Sequence, residues 1–261
     1  MIDQPSLELE PHGADVFVGV SPDYPWGRIY GGLVVAQALR AATRTVDPEH
    51  RVHSLHAYFI LGGVPSEPVR YEVDRIRNGR SFSTRRVVAR QSGGAILNLS
   101  ASFQRDEDAP LVQGVDAPSA PAPHEVARSE WDAGMDYREV LPNPSPGRSL
   151  AWARYDADLG DDDAEHACAL AYLSDGNPMD AVFHRHPVKA VEGEFHETFV
   201  SASLDHSIWF HAPVRADEYL LFDLTCPIIG GSRGIARGEV FQEGRLVASV
   251  AQEGLLRLRT R

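Results

Sequence analysis

Between Leu33 and Val46 the apolar positions Leu33, Val34, Ala38, Leu39, Ala42 and Val46 recur at steps of three and four residues, the period of a helix, and Asp47-Pro48 stops it. The segment is alanine-rich and apolar on most of its circumference, so it predicts a helix wrapped by other elements. Upstream, Val16-Phe17-Val18-Gly19-Val20 reads as a short strand, and Tyr24-Pro25-Trp26-Gly27-Arg28 as a loop leading to Gly31-Gly32. Four strand-like runs follow, near 51–61, 67–77, 80–91 and 95–104, joined by Gly62-Gly63, Asn78-Gly79 and Gly93-Gly94. Short glycine-containing joints between alternating runs are hairpin signals, so an antiparallel meander is expected. Residues 106–130, with Pro110, Pro118, Pro121 and Pro123 among Ala, Asp and Ser, lack the apolar periodicity of a core element and read as a linker.

The order then repeats. Tyr137–Val140 and Ser149–Asp156 are candidate strands around the turn 142–147, residues 163–174 form a second alanine-rich helix with acidic residues at its N-terminal end, and strands are expected near 192–211, 217–226, 232–242 and 245–256. Setting residues 54–59 against 204–210, and 91–97 against 242–247, aligns the halves at an offset of about 150 residues, and a two-copy repeat of this length reads as a duplicated domain. At that offset Ser203 falls on His53 and Gln252 on Ser102.

Composition adds limits. The 261 residues, 43% apolar and 24% charged, suffice for one large core or two smaller ones. No run approaches the roughly 18 to 20 apolar residues of a membrane span, and Met1–Glu10 lacks the basic and apolar segments of a signal peptide, so a cytoplasmic protein is expected. Cys168 and Cys226 are far apart without CxxC spacing, which suggests two reduced thiols. A formal charge of −12 argues against nucleic acid as partner. Within that acidic chain Arg75, Arg77, Arg80, Arg85, Arg86 and Arg90 cluster, either as a solvated face or as a site for a compact polyanion such as a nucleotide diphosphate, which guanidinium matches bidentately. His53 and His56 have opposite strand parity, as do His206 and His211, so neither pair readily chelates an ion, and no metal or cofactor is expected. Asp205-His206-Ser207 holds three triad residue types, but neighbours on one strand cannot form a Ser-His-Asp relay, and no GxSxG elbow occurs.

Helix plus wrapping antiparallel sheet, twice in one chain, is an α+β architecture that resembles the double hot dog fold. The stretches Tyr30–Leu39, Val52–Phe59, Arg77–Val87, Leu204–His211 and Val247–Gly254 are similar, in order, to motifs of the acyl-CoA thioesterase II family. The resemblance implies an N-terminal hot dog over 1–107, a linker over 108–130 and a C-terminal hot dog over 131–261 carrying the catalytic residues. It implies hydrolysis of fatty acyl-CoA to free acid and CoA without metal or covalent intermediate. Its aspartate, after Tyr-Leu-Ser, is Asp175 here; its hydroxyl residue, before the Asp-His-Ser motif, is Ser203; its glutamine, opening Gln-Glu-Gly, is Gln252. Two departures stand out: Gly176-Asn177-Pro178 breaks a helix that the family continues, and Cys226-Pro227-Ile228-Ile229 replaces small polar residues.

Thioester hydrolysis needs a positioned water, a base and donors for the oxyanion. Asp175 suits the base, and Ser203 and Gln252 suit the water's positioning partners. Singly, Asp175 reads equally as a cap, Ser203 as an ordinary strand serine and Gln252 as a solvent-facing position. Arg77, Arg80 and one of Arg85 and Arg86 are expected to face the CoA phosphates, and Gly31, Gly32 and His53 to line the substrate site, while a packed structural role for His53 stands beside that one. The alternative activities on such a fold are an acyl-CoA binder and an enoyl-CoA hydratase-like enzyme. Apolar segments such as Tyr219–Phe222 and Ile228-Ile229 suggest a homo-oligomer, a dimer or tetramer.

Overall fold

The first periodic segment forms helix α1 (Gly31–Thr43), whose side chains from Leu33 to Leu39 are almost wholly buried. A computed structural model describes residues 5–129, 134–190 and 195–259. Before α1 come the short strands β1 (Glu10–Pro11) and β2 (Val16–Gly19); after it come β3 (His50–Phe59), β4 (Val69–Asn78), β5 (Phe82–Gln91) and β6 (Gly94–Arg105). The second half supplies β7 (Met135–Glu139), β8 (Arg148–Tyr155), α2 (Asp163–Ser174), α3 (Pro178–Arg185), α4 (Phe195–Thr198), β9 (Phe199–Ser203), β10 (Asp205–Phe210), β11 (Leu220–Gly230), β12 (Arg233–Gln242) and β13 (Arg245–Leu258).

All strand pairs are antiparallel, and one sheet runs in the order β1-β2-β4-β5-β6-β3-β10-β13-β12-β11-β8-β7, with β9 on β13. The two halves meet where β3 pairs with β10, Ile208 standing opposite Leu55. Alternate strand residues, such as Leu97, Leu99, Ala101 and Phe103 of β6 or Ala248 and Val250 of β13, point to the helices. Helix α1 packs on α2, and the larger of two buried clusters among the described residues runs from Leu33 and Leu55 to Tyr172, Phe222 and Val250, so both halves share one main core. Alanines on both helices permit that close approach.

The expected strand near 192–211 is broken. Residues 191–194 lie outside the described residues, α4 makes one helical turn, and Leu204 separates β9 from β10. The register shows why the break matters: Ser203 stands opposite Gly254 and Ser207 opposite Ala251, so β9–β10 spends one more residue than β13 over this stretch. Such a bulge reverses parity, and Ser203 and His206, three apart, come to the same face. A matching bulge lies between Val52 and Ser54 in β3. It turns His53 towards Ser102 and Phe82 on the outer face that also carries His56, which corrects the opposite parity expected for these histidines.

The proline-rich segment does pack. Ala117, Ala120 and Val126 cover Val140, Leu150, Leu221 and Phe241, Trp152 donates from Nε1 to the Pro121 carbonyl, and the Gln113 amide pairs with the backbone of Gly244 and Leu246. Leu221 lies under this segment and Leu220 and Phe222 in the main core, which removes part of the argument for assembly, whereas Ile228 stays 64% exposed.

Candidate active site

Helix α2 ends where Gly176-Asn177-Pro178 forbids its continuation, and Asp175 is its C-cap residue, with α3 starting at Pro178. The antiparallel packing of the two helices brings this C-terminus to the N-terminus of α1. There Gly31 leaves room that a side chain would fill: a Cβ would lie 2.7 Å from Asp175 Oδ2 and 2.9 Å from the Phe59 ring. The Gly32 N–H donates to the Asp175 carboxylate. An N–H of the first helical turn has no intrahelical acceptor, which makes it available for this anion.

Strands β9 and β13 complete the arrangement. Ser203 Oγ donates to Asp175 Oδ1 at 3.1 Å, and Gln252 Nε2 donates to Ser203 Oγ at 2.8 Å. Gln252 is not solvent-facing: it is 1% exposed and also donates to the Asp175 carboxylate. Asp175 is 7% exposed. Burial pushes its carboxyl up to about 7, against the opposing pull of the hydrogen bonds from Ser203, Gln252 and Gly32. A carboxylate of that basicity, held by donors that leave it lone pairs, can take a proton from water near neutral pH.

The sequence reading missed a further member. His206 is fully buried; its Nδ1 lies 2.5 Å from Gln252 Oε1 and its Nε2 2.8 Å from Ser174 Oγ. Burial, outweighing the hydrogen bond to Gln252 Oε1, lowers its imidazole to about 4, so it is neutral at physiological pH. The signal was present as a histidine on an inward strand position, but only the bulge at Leu204 fixes that parity.

The other expected residues do not gather here. Arg85 is 1% exposed and all five of its N–H groups are engaged, by Thr45 Oγ1, the carbonyls of Thr45, Arg77 and Thr84, and Asn78 Oδ1. It ties the β4–β5 hairpin to the C-terminal end of α1 and has no N–H left for a phosphate. Arg86 does lie on the opposite face, exposed, with its Nε donating to Asn98. Arg77 and Arg80 are exposed at the same hairpin, so they stand about one helix length, roughly 20 Å for 13 residues, from Gly31 and Asp175. His53 also lies at that far end, its Nε2 2.9 Å from Ser102 Oγ, on the rim of a cavity of about 1150 Å³ shared with Arg44, Arg51, Asp163 and His211. An exposed cation at the Asp175 end that was not anticipated is Arg28, whose Cδ would lie 2.8 Å from a Cβ on Gly62.

Two family models match, the acyl-CoA thioesterase N-terminal domain over residues 20–104 and the acyl-CoA thioesterase C-terminal domain over residues 106–256. The chain is 36% identical to acyl-coenzyme A thioesterase 8 of Homo sapiens over 97% of its own length and 88% of that protein's. The chain belongs to the acyl-CoA thioesterase II family. The family is one of acyl-CoA thioester hydrolases, and the site described above lies on the C-terminal thioesterase domain except for its wall at Gly31, Gly32 and Phe59, which the N-terminal domain provides. Among solved structures, an acyl-CoA thioesterase II, TesB2 of Mycobacterium marinum, is 39% identical and superposes with a TM-score of 0.84 over 97% of both chains. A hot dog protein of unknown function from Alicyclobacillus acidocaldarius, 20% identical with a TM-score of 0.77 over 97% of both chains, agrees in fold. This thioesterase therefore has the hot dog fold. Among its described residues no helix is long and apolar enough to cross a membrane.

Proposed function

We propose that this chain, as two fused hot dog units joined by the docked linker, hydrolyses fatty acyl-CoA to free fatty acid and CoA, with Asp175 as general base and Ser203 and Gln252 as the residues that hold the attacking water. The observation that carries the reading is the buried Asp175 carboxylate, pushed up to about 7 and bracketed by Ser203, Gln252 and the Gly32 N–H. Asp175 takes a proton from water while the water oxygen adds to the thioester carbonyl carbon. The tetrahedral oxyanion then collapses with cleavage of the C–S bond, and the proton on Asp175 passes to the departing thiolate. Ser203 and Gln252 fix the line of attack, a contribution of position more than of proton transfer.

Since the arginine hairpin stands at the far end of α1, the CoA phosphates are assigned to exposed cations at the near end, Arg28 first. Assembly into a homo-oligomer is supported by Tyr58 and Trp209, 65% and 38% exposed, on the outer face of the β3–β10 seam.

The test is release of free thiol from palmitoyl-CoA. Asp175→Asn is expected to lower kcat by at least about 1,000-fold with substrate binding retained, and Ser203→Ala and Gln252→Ala by about 10–100-fold each. Near wild-type turnover by Asp175→Asn refutes the assignment, and CoA binding by a wild-type chain that releases no thiol favours the binder.

A further inference from the structure

We propose that His206 is a positioning residue of this reaction, fixing as its Nδ1–H tautomer the amide of Gln252 so that Gln252 donates towards Ser203 and Asp175. The inference rests on Asp175, Ser203 and Gln252 being the reacting set. Oxygen and nitrogen of a glutamine amide are interchangeable in shape, so only the hydrogen-bond network decides which way Gln252 points.

With Asp175 ionised the network has one consistent polarity. The carboxylate only accepts, so Ser203 O–H donates to it. The Ser203 oxygen then accepts from Gln252 Nε2, which turns Gln252 Oε1 to His206 Nδ1 at 2.5 Å, and that contact requires a hydrogen on Nδ1. A neutral imidazole carries one ring hydrogen, so Nε2 offers a lone pair, and Ser174 O–H, 2.8 Å away, donates to it. The chain Ser174, His206, Gln252, Ser203, Asp175 thus runs in one direction and ends on the base. The Ala171 carbonyl lies 3.0 Å from Ser174 Oγ and is the alternative acceptor for that hydroxyl. Were it used, Nε2 would hold the imidazole hydrogen, Nδ1 would accept, and the Gln252 amide would reverse to present its oxygen to the carboxylate, which repels it. Without a donor at position 206 that repulsion alone has to hold the amide in place, and the Nδ1–H···Oε1 bond that locks it is lost.

The duplication supplies an independent comparison. With the two bulges superposed, His206 matches Leu55, Gln252 matches Ala101 and Ser203 matches Val52, all apolar. A polar imidazole buried at a position that is leucine in the other half has to be accounted for, and its two bonds, to the residue before the base and to the residue that positions the water, account for it.

The test uses the full chain and palmitoyl-CoA. His206→Leu is expected to lower kcat about 10–100-fold with KM within about 2-fold. His206→Asn, whose amide N–H stands on the Nδ1 side, should stay within about 5-fold of wild type, whereas His206→Gln, whose donor stands on the Nε2 side, should fall as far as leucine. In a Gln252→Ala background His206→Leu should cost less than about 2-fold, because the histidine acts through the glutamine. Wild-type kcat in His206→Leu, equal loss in the asparagine and glutamine variants, or an undiminished effect on top of Gln252→Ala overturns the proposal. If the leucine variant does not fold, the asparagine–glutamine contrast decides alone. Asp175→Asn run alongside separates the two levels: its full activity removes the general-base reading, while an inactive Asp175→Asn with an unimpaired His206→Leu removes only the role of His206.

Discussion

Asp175→Asn should remove catalysis and, at alkaline pH, make the protein more stable. Burial raises the Asp175 carboxyl from 3.8 to about 7. A folded-state pKa above the unfolded value means that the native chain binds the proton more tightly, so stability is fullest below about pH 4 and is lost as pH rises towards 7. About three pH units at 1.36 kcal/mol each place the loss at about 4 kcal/mol by pH 8. An asparagine has nothing to ionise, but its NH2 faces one donor among Ser203, Gln252 and the Gly32 N–H, at a cost of about 1 kcal/mol. The variant is therefore expected to exceed wild type by about 3 kcal/mol at pH 8. At pH 5, where the native carboxyl is already neutral and the unfolded one mostly ionised, the advantage shrinks to under about 1 kcal/mol. Asp180, likewise pushed up to about 7 by burial, is common to both chains and drops out of the difference. Urea unfolding followed by tryptophan fluorescence at the two pH values measures it. A variant less stable than wild type at pH 8, or an advantage unchanged between pH 5 and pH 8, refutes the assignment of a desolvated carboxyl. The same ionisation predicts that wild-type kcat/KM climbs with pH and levels off above about pH 7.

Arg85→Ala should lower stability by about 3 kcal/mol or more, since it strands the buried acceptors of Thr45, Arg77 and Thr84, and should leave the KM for acyl-CoA unaltered; Arg28→Ala should raise that KM several-fold but not the KM of a short thioester without the nucleotide. Denaturation and steady-state kinetics on both variants check the contrast, and the reverse pattern would return the phosphate site to the hairpin. Gly31→Ala should reduce kcat by about 10-fold or more with little change in unfolding midpoint, because the new methyl group sits 2.7 Å from Asp175 Oδ2; an unchanged kcat would show that the carboxylate has room to move.

Local pattern carried much of the fold. The three- and four-residue period of Leu33 to Val46 and the apolar alternation of residues 80–104 became α1, β5 and β6 within a few residues of their expected ends. The stop at Gly176-Asn177-Pro178 became the end of α2, and it is the stop that leaves Asp175 at a helix terminus facing α1. Tertiary arrangement was less accessible. Arg85 and Arg86 alternate as strand parity requires, but parity does not say which face is the core, and Arg85 took the core side because Thr45, Asn78 and three carbonyls supply an acceptor for every N–H. The prolines of the linker hid its packing, because a segment without periodicity can still bury single alanines and valines on a surface that another element prepares, as Ala117 and Val126 do on Phe241.

The unequal chemistry of the two halves turns on one residue of register. Direct alignment sets Ser203 on His53 and Gln252 on Ser102, so the N-terminal half lacks the set, though with polar residues at both places. The bulges at His53 and Leu204 show that these two are the matching extra residues, and with them paired the inward positions of the N-terminal half are Val52, Leu55 and Ala101. At the helix terminus Arg44 caps α1 where Asp175 caps α2. His53 and Ser102 pair with each other on the outer face, away from the helices. The N-terminal half therefore has the same bulge with apolar inward residues, and what it brings to Asp175 is of two kinds: Gly31 and Phe59 stand against the carboxylate, whose burial raises its pKa, and the Gly32 N–H donates to it, which opposes that rise.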